Sequence, residues 1–220
     1  NALATHVDGS YNIAIGVGAM GDTDAGTTVD GSLGNIMIGE GAGGAAWSNS
    51  AVSNYNVGIG YETMRGVLNG ALDNVAVGKD SLKDLTTGDD NVAVGTGAAE
   101  NLTTGKENVA IGSGAYATAN TSENYGVAVG FNAANLLDGI DNVTAVGHSA
   151  LSTMVAVDGN TAVGFEAGKV TTGANNTYLG FKAGKGASGA EGGNTGVGSR
   201  ALESVTTGGS NVVVGNQAGD

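Results

Sequence analysis

Residues 74–112 read NVAVGKDSLKDLTTGDDNVAVGTGAAENLTTGKENVAIG, one unit written twice and begun a third time. Its core is Asn, a β-branched residue, Ala, Val or Ile, and Gly. The same core recurs along the whole chain, as NIAIG at 12–16, NIMIG at 35–39, NVGIG at 56–60 and, in looser form, NTYLG at 176–180 and NVVVG at 211–215. With the closing glycine as anchor there are twelve coils, ending at Gly16, Gly39, Gly60, Gly78, Gly95, Gly112, Gly130, Gly147, Gly164, Gly180, Gly198 and Gly215. The first two intervals are 23 and 21 residues and all later ones are 16 to 18. This divides the chain into irregular amino-terminal coils over 1–60, with insertions at about 21–34 and 44–54, and regular repeats over 61–220.

A period of this length marks a stack of small units, none of which can bury its apolar residues alone. The residue before the anchor is Ile, Val or Leu in every coil, and the residue three before it is Val, Ile or Thr. Alternation in β-branched residues predicts a five-residue strand with those two side chains on one face, read as the inward one, and the small residue between them on the other. Three residues after the anchor stands Ala in ten coils, with Thr63 and Ser81 as exceptions, as a tight turn or a close backbone approach requires. A second apolar patch, such as Leu82 and Leu85, predicts a further short strand before a Thr-Thr-Gly turn, where glycine supplies a positive φ. The fold class is therefore all-β, a parallel β-solenoid or β-roll of about twelve coils, about 50–60 Å long at about 4.8 Å per coil.

Composition agrees with a thin core. Of 220 residues 42 are glycine, none is proline or cysteine, and only 5% are aromatic, which excludes collagen, disulfide scaffolds and thiolate metal sites. Eight basic against 21 acidic residues give a net charge of -13. That charge disfavours nucleic acid and anionic lipid as partners, and no apolar run is long enough to insert in a membrane. The chain opens at Asn1 with no signal-peptide layout and closes at Asp220 without a terminal device, as expected of a piece processed or excised from a longer chain.

Asn stands four residues before the anchor in ten coils, at Asn12, Asn35, Asn56, Asn74, Asn91, Asn108, Asn160, Asn176, Asn194 and Asn211. Stacked, these predict a structural ladder of side-chain amides, with a row of sugar- or metal-binding amides as the rival reading. Just after the anchor come Phe131, His148, Phe165 and Phe181 in four successive coils, and Tyr61 earlier. They predict one column, read as a buried packing ladder; exposed, it would offer sugar rings a receptor stripe. Trp47, in the second insertion, either binds a receptor or covers the open end of the rod.

The residues are related to the repeats of phage tail-fibre proteins by resemblance: residues 74–112 look like units N-T-A-(V/L)-G-x-x-A-L-x-x-x-T-T-G-x-x-N that precede a self-cleaving chaperone domain. The chain is more distantly similar to the head of trimeric autotransporter adhesins, whose shorter repeats form a left-handed parallel β-roll in a trimer. The resemblance implies a homotrimeric fibre, on a virion or at the cell surface, that presents a host or surface attachment region to a polysaccharide or protein receptor. The two insertions lie outside the pattern, and no chaperone or membrane-anchor segment is present. The alternative is a subunit of a self-polymerising extracellular filament, joined end to end, or a bacterial adhesin.

Catalytic chemistry is thinly supplied. His6 and His148 fall in different repeat contexts, so no catalytic or zinc site, and no metal or other cofactor, is expected. Asp89-Asp90 reads as a solvated turn rather than a glycosidase pair, which leaves a polysaccharide-degrading fibre enzyme as a third, weaker reading. The glycine doublets at Gly16 and Gly95 recur with the repeat and open no helix, so they are not phosphate loops. Thr144, Thr161, Thr177 and Thr195 share one strand position, which raises ice binding, but their column reads as an inward face.

Overall fold

In a computed structural model the structure describes residues 2, 9–21, 31–45, 47, 50–118, 122–136, 139–153, 158–187 and 192–219. Twelve strands follow in chain order: β1 (Ile13–Ile15), β2 (Ile36–Ile38), β3 (Val57–Ile59), β4 (Val75–Val77), β5 (Val92–Val94), β6 (Val109–Ile111), β7 (Val127–Val129), β8 (Thr144–Val146), β9 (Thr161–Val163), β10 (Thr177–Leu179), β11 (Thr195–Val197) and β12 (Val212–Val214). They form one parallel sheet in sequence order, a β-solenoid. Each coil sits on the last without offset, so that Val75, Ala76 and Val77 pair with Val92, Ala93 and Val94. The strands are three residues long rather than five.

The second apolar patch is a turn and not a strand. Leu82 and Leu85 are buried, yet their segment bends, and its hydrogen bonds still run from coil to coil. Leu82 N–H donates to the Ala98 carbonyl at 3.0 Å and Asp84 N–H to Glu100 at 3.0 Å. The bend comes from alternating left-handed residues. In this coil Asp73, Asp80 and Leu82 have φ of 56°, 56° and 47°, and the anchor Gly78 has 134°. A left-handed non-glycine residue costs about 1–2 kcal/mol, which the inter-coil hydrogen bonds and burial offset. The residue three after the anchor closes a turn: Ala98 N–H reaches back to the Gly95 carbonyl at 3.2 Å.

The expected facing of the strands is reversed. The small middle residues point inward, with Ala76, Ala93, Ala128, Ala145 and Ala162 fully buried, while the β-branched residues on either side point outward and are half-buried or exposed. The reason is room. Across the lumen each middle residue meets the side chain four after the anchor, such as Leu82 or Leu151, and two large side chains do not fit one coil. Where the strand side is large the other side is glycine. Met37 faces Gly43, where a methyl group would stand 3.1 Å from Met37 Cγ, and Tyr178 faces Gly184, where a methyl group would overlap its ring. Where the turn side is large the strand gives way, as Gly196 does beside Leu202, whose Cδ1 lies 3.3 Å from where a methyl group would stand; Gly58 instead makes room for Met37 Sδ of the coil before.

The asparagine column binds three coils at each step. Asn91 Nδ2–H donates to Asn74 Oδ1 in the coil before at 3.0 Å and to the Gly105 carbonyl in the coil after at 2.8 Å. Its backbone N–H donates to the same Asn74 Oδ1 at 3.0 Å. The pattern repeats from Asn12 through Asn108; from Asn160 to Asn176 and Asn194 to Asn211 the Asn-to-Asn bond recurs, but Asn176 and Asn211 make their second bond within their own coil, to the Gly173 and Gly208 carbonyls at 2.6 and 3.3 Å. It lapses where Gly126 and Val143 replace Asn, and there the Tyr116 phenol occupies the space beside Gly126.

Two outcomes test this packing. A methyl group on Gly95, whose φ is 135°, would stand 2.6 Å from the Gly112 carbonyl carbon and oxygen. Gly95→Ala is therefore expected to destabilise the fold by about 3 kcal/mol or more in denaturant titration, against roughly 0.5 kcal/mol or less for the exposed Ser113→Ala. Burial pushes the Tyr178 hydroxyl from 10.0 up to about 12, and burial, then the Glu123 charge, raises that of Tyr116. A phenol held neutral stabilises the fold fully below pH 10 and loses that contribution as pH rises toward 12. Tyr178→Phe should flatten the fall in stability between pH 10 and 12; an unchanged slope would contradict the assignment.

Candidate functional site: the outward sheet face and its aromatic edge

The reversal leaves a surface running along the sheet. Two columns of side chains, β-branched except for Leu179, extend from Ile13 and Ile15 to Val212 and Val214, and none of their members is charged. In the middle of the rod Ile59, Val94 and Ile111 are exposed by 39%, 37% and 40%. A continuous apolar strip of this kind marks an interaction surface. Position along the chain could not reveal it, because β-branched residues at fixed spacing also describe a core; the informative signal was the alanine between them, which is the residue a narrow lumen admits.

Thr144, Thr161, Thr177 and Thr195 lie in the first of these columns, paired in register and facing outward, against the inward reading. They fill one of the two columns in four tiers, beside Val146, Val163, Leu179 and Val197. Ice binding would need a broader threonine array than this.

The residues after the anchor form a column at the corner where the sheet face meets the turns. Phe131 and His148 stack at 5.1 Å between ring centroids, His148 and Phe165 at 5.2 Å, and Phe165 and Phe181 at 5.4 Å, with interplanar angles of 29°, 25° and 12°. The column is not the buried ladder that was expected: Phe131, Phe165 and Phe181 are 50%, 40% and 44% exposed, and His148 is exposed too. Phe131, Phe165 and Phe181 remain exposed among the described residues. His148 and Phe165 are stacked on both faces, Phe131 on one, and Lys182 Nζ lies 5.0 Å from the centroid of Phe181. The surface is thus a strip of ring edges continuous with the valine columns, better shaped for another apolar edge than for a sugar face. Tyr61 stands in the same column but apart, with Lys79 Nζ 5.7 Å from its ring.

Trp47 is elsewhere. It is 2% exposed, packs near Met37 and Gly43, and donates from Nε1 to the Gly43 carbonyl at 3.0 Å, which takes it out of reach of a partner. His6 lies outside the described residues. Asp89 is engaged within the turn, accepting from Leu72 N–H at 3.0 Å and from Lys106 Nζ at 2.6 Å. Among the described residues no three His, Cys, Asp or Glu side chains are grouped to hold a metal ion.

Charged groups sit on the turns. Lys83 lies 3.4 to 3.7 Å from Asp80, Glu62 and Glu100, contributions each worth about 0–1 kcal/mol at such exposure. Glu166 is held more firmly, by Lys169 at 2.7 Å and Lys185 in the next coil at 2.8 Å. Comparison with family models, with curated proteins and with solved structures finds no match.

The hydrogen bonds from Lys169 and then Lys185 lower the Glu166 carboxyl from 4.5 to about 2. A depressed carboxyl adds stability that is present above about pH 4.5 and is lost as pH falls to about 2. Glu166→Gln should be less stable than the parent at pH 7, with the gap closing between pH 4.5 and 2 in parallel thermal melts; a gap that persisted at pH 2 would refute the pairing.

Proposed function

We propose that the protein is a structural segment of a fibre, of the phage tail-fibre type, carried on a virion or at a cell surface, in which several copies associate laterally, three by the resemblance, to present an attachment region. It performs no catalysis in this reading. The observation that carries it is the outward sheet face, an uncharged β-branched strip running the full length of a chain whose net charge is -13. Left in water, such a strip costs free energy in proportion to its area, and a second strip of the same kind is the partner that removes it.

Twelve tiers make a strip about 55 Å long, and two columns about 10 Å wide offer roughly 550 Å² per chain. A standard interface takes about 800 Å² from each partner, so lateral association draws on the flanks of the strip as well as on the strip itself. Stiffness also suits a shaft: parallel strands, turn hydrogen bonds and the amide column all run along the axis, so bending the rod means opening several bonds at one joint.

Light scattering on the purified chain tests this reading. A mass of three times 21.2 kDa is expected, falling to one chain in Val94→Lys/Ile111→Lys, whose outward positions leave the coil intact by circular dichroism. A monomeric parent would remove the support for a shaft, and an open-ended series of masses would favour the end-to-end filament.

A further inference from the structure

The asparagine column breaks at Gly126, where its missing bonds can be named. In the intact stretch each side-chain amide gives one N–H to the Oδ1 of the coil before and one to a backbone carbonyl of the coil after, as Asn91 does to Asn74 and Gly105, and Asn108 to Asn91 and Glu123. Gly126 brings no amide. Asn108 Oδ1, in a position that takes two donors elsewhere in the column, keeps only the Gly126 N–H at 2.9 Å. The next carbonyl in line, that of Ile140, belongs to a buried residue and accepts no hydrogen bond from the described residues. Buried acceptors rarely go without a partner of some kind.

Two buried side chains bring further oxygens to the same break. The Tyr116 hydroxyl and Glu123 Oε2 have no hydrogen-bond partner, and both residues are 0% exposed. The phenol lies in the break itself: a Cβ at Gly126 would overlap its oxygen and stand 3.0 Å from Asn108 Oδ1. Glu123 bounds the break on the other side. Its backbone carbonyl accepts from Asn108 Nδ2–H at 2.7 Å, while its Oε1 accepts from Gly139 N–H in the coil after at 2.7 Å. Burial raises the phenol, and the charges that add to this effect are both carboxylates, Glu123 and then Asp141. No ion pair offsets Glu123 among the described residues, and an isolated carboxylate in a dry lumen is among the costliest groups a fold can hold.

We propose that the break in the asparagine column at Gly126 is a binding site for one desolvated monovalent cation, sodium or potassium, held by Glu123 Oε2, the Tyr116 hydroxyl oxygen, Asn108 Oδ1 and the Ile140 carbonyl. The groups gathered here are oxygens short of donors, which is what such an ion satisfies. A water has two hydrogens to give and no charge to set against Glu123. One carboxylate among neutral oxygens matches a single positive charge, whereas a divalent ion takes more carboxylates or keeps its own water. The ion does at this tier what the amide does at the others, tying the coil before to the coil after. The site stands whether or not the chain is a fibre segment.

Thermal melts of the whole chain at neutral pH and fixed ionic strength test this, with choline chloride replaced stepwise by sodium chloride or by potassium chloride. The melting temperature should climb with at least one of the two metals, by roughly 3–6 °C at about ten times its dissociation constant. Choline is too large to enter the lumen and should give no rise. Glu123→Gln should abolish the rise, and Tyr116→Phe, which keeps the ring that fills the lumen, should move it to higher salt. If Glu123→Gln does not fold, sodium NMR decides: the parent should broaden the sodium line more than Tyr116→Phe does, and potassium should relieve the broadening by competition. Equal melts in sodium, potassium and choline would overturn the site, as would a rise that Glu123→Gln retains or a sodium line that parent and Tyr116→Phe broaden alike. Melts that move with pH and not with the cation would overturn it too, by giving the neutralising role to a proton.

Discussion

Everything in this molecule depends on stacking without offset. A coil can lie on its neighbour at the strand spacing only if both follow the same backbone path, and the anchor glycine is where that demand is tightest. Its φ of 131° to 142° is closed to other residues, and the space where a side chain would start is already filled by the carbonyl of the next anchor. Once the anchors superimpose, the strand, the turns and the amide column superimpose with them, and the backbone groups of the strands and most of those in the turns meet their partners one coil away, with local turn bonds such as Ala98 N–H to Gly95 beside them. The left-handed residues of every turn are tolerated because their distortion is shared by all coils and is repaid in the same hydrogen bonds.

The narrow lumen is the second constraint, and it follows from the first. Coils of about 17 residues that turn this sharply enclose space for one sizeable side chain, so size is traded across the lumen from coil to coil: Met37 against Gly43, Gly196 against Leu202, Tyr178 against Gly184. The aliphatic residues that in a wider solenoid would be the core are left on the outside. This fold therefore buries its alanines and exposes its valines.

How much of this was legible in the residues depends on which signal carried it. The recurrence of Gly78, Gly95 and Gly112 at equal steps is enough to predict parallel coils and zero offset. The inward or outward facing of a three-residue strand is a different matter. Alternation says that Val75 and Val77 share a face and Ala76 takes the other, but hydrophobicity, the usual guide to which face is inside, points the wrong way when the lumen admits only alanine. The same error made the Phe131 to Phe181 column look buried. Leu82 and Leu85 read as a strand because the left-handed backbone at Asp80 and Leu82 leaves no trace in the hydrophobic pattern. Trp47 could not be placed from sequence, since it lies in an insertion with no repeat to align it.

Charge separates the faces as sharply as size does. The strand positions and the anchors hold none of the charged residues; apart from Glu123, which is fully buried and accepts from Gly139 N–H at 2.7 Å, those of the described residues sit on the turns, where Glu166 is clasped by Lys169 and Lys185 and where Asp73, Asp90 and Glu107 follow one another in a single left-handed column. A chain with a net charge of -13 repels its own copies from most directions, and that repulsion reaches about 8 Å at physiological ionic strength. The sheet face is the direction from which two copies can approach with their acidic turns held apart, so electrostatics narrows the orientations in which the apolar strip can be covered.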